Sequence, residues 1–427
     1  MTAAARATAE AVWRAEAGRI VGGLMRLVRD LDLAEDCAQD ALVAALEHWP
    51  VDGLPHNPGA WLMATAKHRA LDRLRAAQLH GRKHEDLAAD LDALQAMVVP
   101  DFVDALDAAR QDDLGDDQLR LFFVACHPVL SADARVALTL RLLGGLTTAE
   151  IARACLVPEP TIAQRIVRAK RQLAEARVPF EVPDAAARAP RLASVLEAIY
   201  LIFNEGYAAT SGEHWQRPAL MDEALRLGGV LAAAMPHEAE VHGLWALMAL
   251  QASRRDARSD AQGRPVLLAD QDRRRWDHRL IEHGLAALDR AETLLAGSGD
   301  APYTLQAALA ACHARAARAE DTDWPGIVAL YDRLLALRPS PVVALNRAVA
   351  VGMAAGPAAA LPLVDALLAE PALARYPWLP SVRGDLLARL GRADEAGTEF
   401  RRAAALTQNE PERALLLARA ERVASGA

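Results

Sequence analysis

Along most of the chain apolar side chains return every three or four positions, the period of an amphipathic helix, and no stretch alternates with the period of two that marks a strand. Between Leu33 and Trp49, the set Leu42, Leu46 and Trp49 recurs at i, i+4 and i+7, with Asp36, Asp40 and Glu47 on another face. The turn-rich stretch PVDGLPHNPG, Pro50 to Gly59, predicts a loop, and a second helix runs from about Ala60 to Arg75. Residues 10–78 thus read as a helical bundle. Residues 119–177 read as a second helical unit. Gly144-Gly145 separates its first helix from the next two, Thr147 or Thr148 suits an N-cap, Leu156-Val157-Pro158 is a turn, and Pro160 fits the first turn of a helix reaching about Ala176.

A proline-containing break, Val178 to Pro190, precedes ~11 further helical patterns. Near the end a repeat emerges. GIVALYDRLLAL from Gly326, GPAAALPLVDALL from Gly356 and GRADEAGTEFRRAAAL from Gly391 are alike, and Tyr331, Val364 and Phe400 stand 33 and 36 residues apart in them. Those spacings bracket the period of tetratricopeptide repeats, whose helix hairpins bury their apolar faces by stacking on neighbours. The expected fold class is all-α, with a C-terminal helical solenoid over residues 185–427.

Composition supports helices. The 427 residues are 52% hydrophobic and only 4% aromatic, and alanine and leucine dominate. Length predicts two or three domains. The apolar run Ala348 to Val364 is broken by Gly356-Pro357 and Pro362, so no membrane span is expected, and no signal-peptide stretch opens the chain. Cys37, Cys126, Cys155 and Cys312 lie far apart and read as reduced thiols of a cytoplasmic protein.

Charge changes the picture more. The net −8 conceals a net +1 over residues 1–83, −10 over 84–118, +5 over 119–180 and −4 thereafter. Segment 79–118 therefore reads as an acidic, solvated linker, with Leu87, Leu91, Leu94 and Val98 suited to a short helix. The flanking units carry cationic helices. In LTTAEIARACLVPEPTIAQRIVRAKRQL, Leu146 to Leu173, the second helix should bury Ile162, Ile166, Ala169 and Leu173, leaving Thr161, Ala163, Gln164, Arg165, Arg168 and Arg171 outward. Such a helix-turn-helix can place Arg and Gln against base edges and later arginines against phosphate. Between Trp61 and Lys83 stand six basic residues, Lys67, Arg69, Arg73, Arg75, Arg82 and Lys83, against one acid, Asp72. Basic side chains beside an aromatic suit unstacked DNA, whereas a single tryptophan is more often core.

These segments resemble regions 2 and 4 of bacterial sigma-70 factors, specifically the extracytoplasmic function (ECF) group. DLAEDCAQDALVAALEHW resembles the helix that docks on the RNA polymerase clamp, AWLMATAKHRALDRLR the promoter −10 helix, and GLTTAEIARACLVPEPTIAQRIVRAKRQL the region that reads the −35 element. AIYLIFNEGY, LMDEALRLG, DQDRRRWD, DTDWPGIVALYDRL and SPVVALNRAVAV resemble the ECF subgroup with a tetratricopeptide-like C-terminal extension. The resemblance implies a transcription-initiation specificity subunit with no cofactor. Its partners would be core RNA polymerase, at the β′ clamp helices and β flap, promoter DNA, and a protein or ligand of the C-terminal domain. It implies polymerase contacts at Asp36, Gln39 and Asp40, −10 contacts at Asn57, Trp61, Lys67, Arg69 and Arg73, and −35 contacts at Thr161, Gln164, Arg165, Arg168 and Arg171. The linker would thread a basic channel of polymerase. His68 and Leu156 depart from the group's usual Asn and Gly.

Catalytic patterns are missing from the sequence. His237 and His242 are spaced i, i+5, ill-suited to one ion on a helix, and there is neither a Gly-Lys phosphate loop nor a GxSxG elbow. Asn204-Glu205 and DQDRRRWD suit caps and ion pairs better than a ligand pocket. The alternatives are a stand-alone helix-turn-helix regulator, which would bind duplex DNA without polymerase, and a repeat scaffold with no DNA role.

Overall fold

The computed structural model describes residues 3–80, 111–155, 157–208, 211–212 and 216–425. Residues 81–110, with Arg82, Lys83 and the short helix expected in the acidic segment, and Leu156 of the turn lie outside the described residues. The chain divides into two compact units, Met1–Ile199 and Tyr200–Ala427. Both are helical.

In the first unit, α1 (Ala3–Val28), α2 (Leu31–Asp52) and α3 (Pro58–His80) pack together. The Asp30 carboxylate caps α2 by accepting from the Leu33 N–H at 2.9 Å. The core face of α2 is lined by Ala34, Cys37, Ala38, Ala41, Ala44, Ala45 and Trp49, while the expected Leu42 and Leu46 are only half-buried. Small side chains win that face because the neighbouring helices approach closely. The helix also runs through Pro50 into the predicted loop and stops at Gly53, whose φ of 89° favours glycine.

The chain continues through α4 (Gln111–Ala125), α5 (Ala132–Leu142), α6 (Thr148–Cys155) and α7 (Glu159–Glu175) to α8 (Ala185–Tyr207). Gly22 lets α1 meet α4, since a Cβ there would come within 2.8 Å of the Asp117 carbonyl oxygen. The predicted break at Val178 to Pro190 is shorter than expected. Asp184 accepts from the Ala187 N–H at 2.8 Å and starts α8 before Pro190, which is accommodated inside the helix. Arg135 anchors this helix through Glu197 at 2.9 Å, and Ser194 donates to the Cys126 carbonyl.

The second unit continues with α9 (Pro218–Ala234), α10 (Ala239–Ala252), α11 (His278–Leu295), α12 (Pro302–Arg315), α13 (Trp324–Leu337), α14 (Pro341–Ala354), α15 (Pro357–Ala366), α16 (Trp378–Arg389), α17 (Ala393–Leu406) and α18 (Glu410–Ser425). Most helices pack on their sequence neighbours, whereas α12 packs chiefly on α10. The three similar segments fall on α13, α15 and α17, each followed by a partner helix. Val364 and Phe400 are buried, and Tyr331 is half-buried. A two-residue parallel pairing joins Ser211–Gly212 to Gln408–Asn409.

The polar motifs of this unit act as caps and ties. Asp272 accepts from the Arg274 N–H, Asp277 caps α11 at Leu280, and Glu205 pairs with Arg217. Arg273 turns inward and donates to the carbonyls of His313 and Ala316 at 2.5 and 2.6 Å, ending α12, while its guanidinium stacks on Trp276 at 4.6 Å. Burial, helped by the Arg254 and Arg273 charges, lowers the His313 pKa to about 4. The unfolded chain takes up this proton near pH 6.5 and the folded chain only near 4, so stability falls as pH drops through that window. The second unit is therefore expected to lose about 2 kcal/mol through His313 between pH 7 and 5. His313→Gln should remove that component from the pH dependence of thermal unfolding.

Candidate nucleic-acid interface

The periodicity of α7 places its side chains as expected. Ile162, Ile166, Ala169 and Leu173 are buried, and Thr161, Ala163, Gln164, Arg168 and Arg171 are exposed. The preceding helix begins in a capping box: Thr147 Oγ1 accepts from the Glu150 N–H at 3.2 Å, and the Glu150 carboxylate accepts from the Thr147 N–H at 2.8 Å. Arg165 is held sideways, 3.0 Å from Asp133 of α5, and is half-buried. Arg171 lies 3.4 Å from Glu175 on the open surface. Sequence reasoning passed over Val167, which is 66% exposed between Gln164 and Arg171 on the outer face. Its angle on the helical wheel was the available clue.

The α2–α3 pair assembles a second surface. Asn57 is exposed, and its side-chain oxygen accepts from the Ala60 N–H at 3.0 Å, capping α3. Trp61 is half-buried, with its ring edge-on to Trp49 at 5.5 Å and tilted against His48 at 6.4 Å. It is thus neither wholly core nor freely exposed. Arg69 is exposed and Lys67 half-buried. Arg73 is tied to α2, 2.6 Å from Asp40 and 3.5 Å from Asp36. Two carboxylates expected to face polymerase therefore hold an arginine expected to face DNA, a pairing across 33 residues with no sequence signature. Asp72, the one acid in that cationic stretch, reaches Arg75 at 4.0 Å.

The two surfaces are linked within this unit. Glu35, 6% exposed, binds Arg141 of α5 and lies 2.7 Å from Lys170 of α7, whose ammonium is also 2.6 Å from Asp32. Burial pulls the Lys170 pKa down, but Glu35 and Asp32 outweigh it and hold the ammonium above its ordinary value. Trp13 donates to the Gly145 carbonyl at 2.9 Å, and Arg14 meets Glu150 at 2.6 Å.

Residues 12–79 match sigma-70 region 2, and residues 123–173 match sigma-70, region 4, so the two cationic surfaces fall one in each. The chain belongs to the sigma-70 family. Its ECF character is supported by similarity to the ECF RNA polymerase sigma factor SigK of Mycobacterium ulcerans (strain Agy99), 31% identical over 166 residues covering 36% of this chain and 78% of SigK. The probable ECF RNA polymerase sigma factor SigI of Mycobacterium tuberculosis (strain ATCC 25618 / H37Rv) is 29% identical over 175 residues, 41% of this chain and 57% of SigI. A much longer match, 46% identity over 397 residues, relates this sigma factor to the uncharacterized protein R00370 of Rhizobium meliloti (strain 1021), covering 93% of this chain and 91% of that protein. Residues 191–292 match a family of unknown function, DUF6596.

Among the described residues no helix of the sigma factor is long and apolar enough to cross a membrane, and no cluster of three or more His, Cys, Asp or Glu is placed to hold a metal ion. His237 precedes α10, and His242 within it contacts the Pro236 carbonyl at 3.0 Å. Surface and core should separate cleanly in region 2 and region 4. Arg73→Ala removes an exposed ion pair and should cost less than about 1 kcal/mol. Ile162→Ala empties a fully buried site and should cost about 2–5 kcal/mol. Chemical denaturation of the first unit measures both.

Proposed function

We propose that this chain is an ECF-type sigma factor that binds core RNA polymerase, recognises −10 and −35 promoter elements and starts transcription. The observation that carries the reading is the pairing of a region 2 match and a region 4 match with exposed reading side chains on α7. In this reading Asp36, Gln39 and Asp40 on α2 meet basic residues of the β′ clamp helices, and region 4 meets the β flap. Asn57, Trp61, Lys67, Arg69 and Arg73 engage the −10 element. Bases there must leave the stack before their pairing edges can be read, which costs a few kcal/mol. Trp61 supplies a ring edge beside that strand, and Arg73 must exchange Asp36 and Asp40 for phosphate.

At the −35 element Thr161, Gln164 and Arg168 lie on the exposed face of a helix whose size and polarity fit a major groove. Gln and Arg offer bidentate hydrogen bonds, Arg171 a phosphate contact, and Val167 an apolar partner for a thymine methyl group. Arg165 contributes from the edge set by Asp133. Of the acidic segment 79–118, residues 111–118 belong to α4 with Asp117 buried against α1, so it is the stretch between α3 and α4 that is proposed to occupy a basic channel of polymerase. The second unit is proposed to be a tetratricopeptide-like domain that modulates activity through a protein or small-molecule partner. Tandem helix pairs support this, because such arrays build extended binding surfaces.

Run-off transcription with purified core tests the reading. Defined starts that require both core and this chain are expected. DNA binding without any effect of core would favour a stand-alone regulator, and no binding to either a scaffold. Arg168→Ala should lower initiation at −35-dependent promoters by roughly 5- to 150-fold, corresponding to ~1–3 kcal/mol for one good base contact. Arg171→Ala should weaken binding evenly across promoters and reduce the salt slope by about 1. The truncation that leaves region 4 intact ends at Ile199, since Arg191 and Ser194 of α8 bind carbonyls of α4 and the turn after it. Removing residues 200–427 should change promoter output in cells; an unaltered output would count against a modulatory second unit.

A further inference from the structure

The second unit gathers all five tyrosines of the chain, Tyr200, Tyr207, Tyr303, Tyr331 and Tyr376. Tyr200, on the last two turns of α8, stands among the others. Its ring is edge-on to Tyr303 of α12 at 5.5 Å. It also acts electrostatically on Tyr331 of α13 and on Tyr376, just ahead of α16. These rings come from three separate apolar clusters. Tyr200 and Tyr303 border the core of α10–α12, Tyr331 borders that of α12–α14, and Tyr376 borders that of α14–α18. All four are half-buried, so each keeps part of its ring open, and Asn204, one turn after Tyr200 and hydrogen-bonded to its phenol, is exposed. Burial raises the pKa of Tyr200, Tyr331 and Tyr376, so these phenols are neutral and present electron-rich faces.

A buried carboxylate stands beside the rings. The pairing of Ser211–Gly212 with Gln408–Asn409 brings the start of α18 next to the chain leaving α8. There Glu412 is 8% exposed. Its Oε2 accepts from the Thr407 hydroxyl at 2.6 Å, whereas Oε1 is buried with no hydrogen-bond partner among the described residues. Burial raises the Glu412 pKa and only the Thr407 bond opposes it, so no cation among the described residues supplies a countercharge. Glu412 in turn acts on Tyr376, so the acid and the rings face one another. A buried carboxylate oxygen is costly to leave without a donor, and tyrosine faces attract cations. At the other end of this stretch of α8, Arg254 donates to the Tyr207 hydroxyl at 2.6 Å, and its charge confines a second cation to the Glu412 end. We propose that Tyr200, Tyr303, Tyr331, Tyr376 and Glu412 form a recognition site for an alkylammonium group, with Glu412 Oε1 accepting an N–H and the rings surrounding the charge. The idle acceptor selects a cation that carries N–H over a quaternary one. Such a group belongs to a free amine or to a lysine of a protein partner. The site deepens, and rests on, the reading of the second unit as a partner-binding domain.

The test is calorimetry on the full chain in an amine-free buffer, with butylamine, tetramethylammonium, butanol and Nα-acetyl-lysine methylamide as probes. Butylamine should bind saturably, and butanol, the same alkyl chain without the charge, about 10-fold more weakly or worse. Tetramethylammonium should fall behind butylamine, because it has no N–H for Glu412. Glu412→Gln should weaken butylamine by about 10-fold and Tyr331→Leu severalfold, while Tyr331→Phe keeps the ring face and should bind as the unsubstituted chain does. Butanol binding as well as butylamine, no binding by butylamine, or butylamine affinity that survives both Glu412→Gln and Tyr331→Leu overturns the site. If Glu412→Gln loses helical content, the contrast between Tyr331→Phe and Tyr331→Leu still decides. Acetyl-lysine methylamide binding more tightly than butylamine assigns the site to a lysine of a protein partner, and its exclusion while butylamine binds assigns it to a free amine. Polymerase takes no part in these measurements. Butylamine binding together with unaltered promoter output on removing residues 200–427 keeps the site and removes the modulatory reading; altered output without butylamine binding does the reverse.

Discussion

A carboxylate withdrawn from water must find positive charge, and Glu35 finds it only across the fold. It sits on the alanine face of α2, where its neighbours are Ala34, Cys37 and Ala38. Burying a lone carboxylate costs several kcal/mol, so its position depends on Arg141 and Lys170 arriving from more than 100 residues away. Those two cations fix how α5 and α7 stand against α2. That in turn determines which faces of region 2 and region 4 are open. The closely packed α1–α4 contact at Gly22 and the Trp13–Gly145 hydrogen bond are built around the same arrangement.

The second unit answers a different constraint. Its helices are rich in alanine and leucine and poor in aromatics, so each has a shallow apolar face that is satisfied only by neighbours packed on both sides. Backbone groups at the helix ends are met by arginine in several places. Arg273 takes two carbonyls at the end of α12, Arg389 takes the Gly352 carbonyl, and Arg413 takes the Thr407 carbonyl. A planar guanidinium with five donors can span such a terminus while its face lies on a ring.

Much of the α7 surface was legible from residue order. The wheel of α7 assigned its buried positions correctly and its exposed ones apart from Arg165, because a helix has a fixed period and the apolar residues are large. The face of α2 was harder. Leu42 and Leu46 drew attention by size, yet the core side is the alanine side, since close helix approach rewards small groups and leaves longer ones at the margin. The break before α8 is shorter than its prolines suggest, because the Asp184 cap starts the helix and Pro190 is accommodated inside it. The polar stretch DQDRRRWD was correctly weighed as caps and ties, but that Arg273 and Trp276 turn inward depends on α12 ending beside them.

The sequence by itself determined that the chain is helical, which residues of α7 face outward, and where positive and negative charge are concentrated. These follow from local period and composition. Only the tertiary structure decided that Arg73 belongs to Asp36 and Asp40, that Arg165 leans on Asp133, and that Glu35 binds region 4. Charges have no period and no fixed reach along a chain. Their partners are chosen by packing, after the helices have come together.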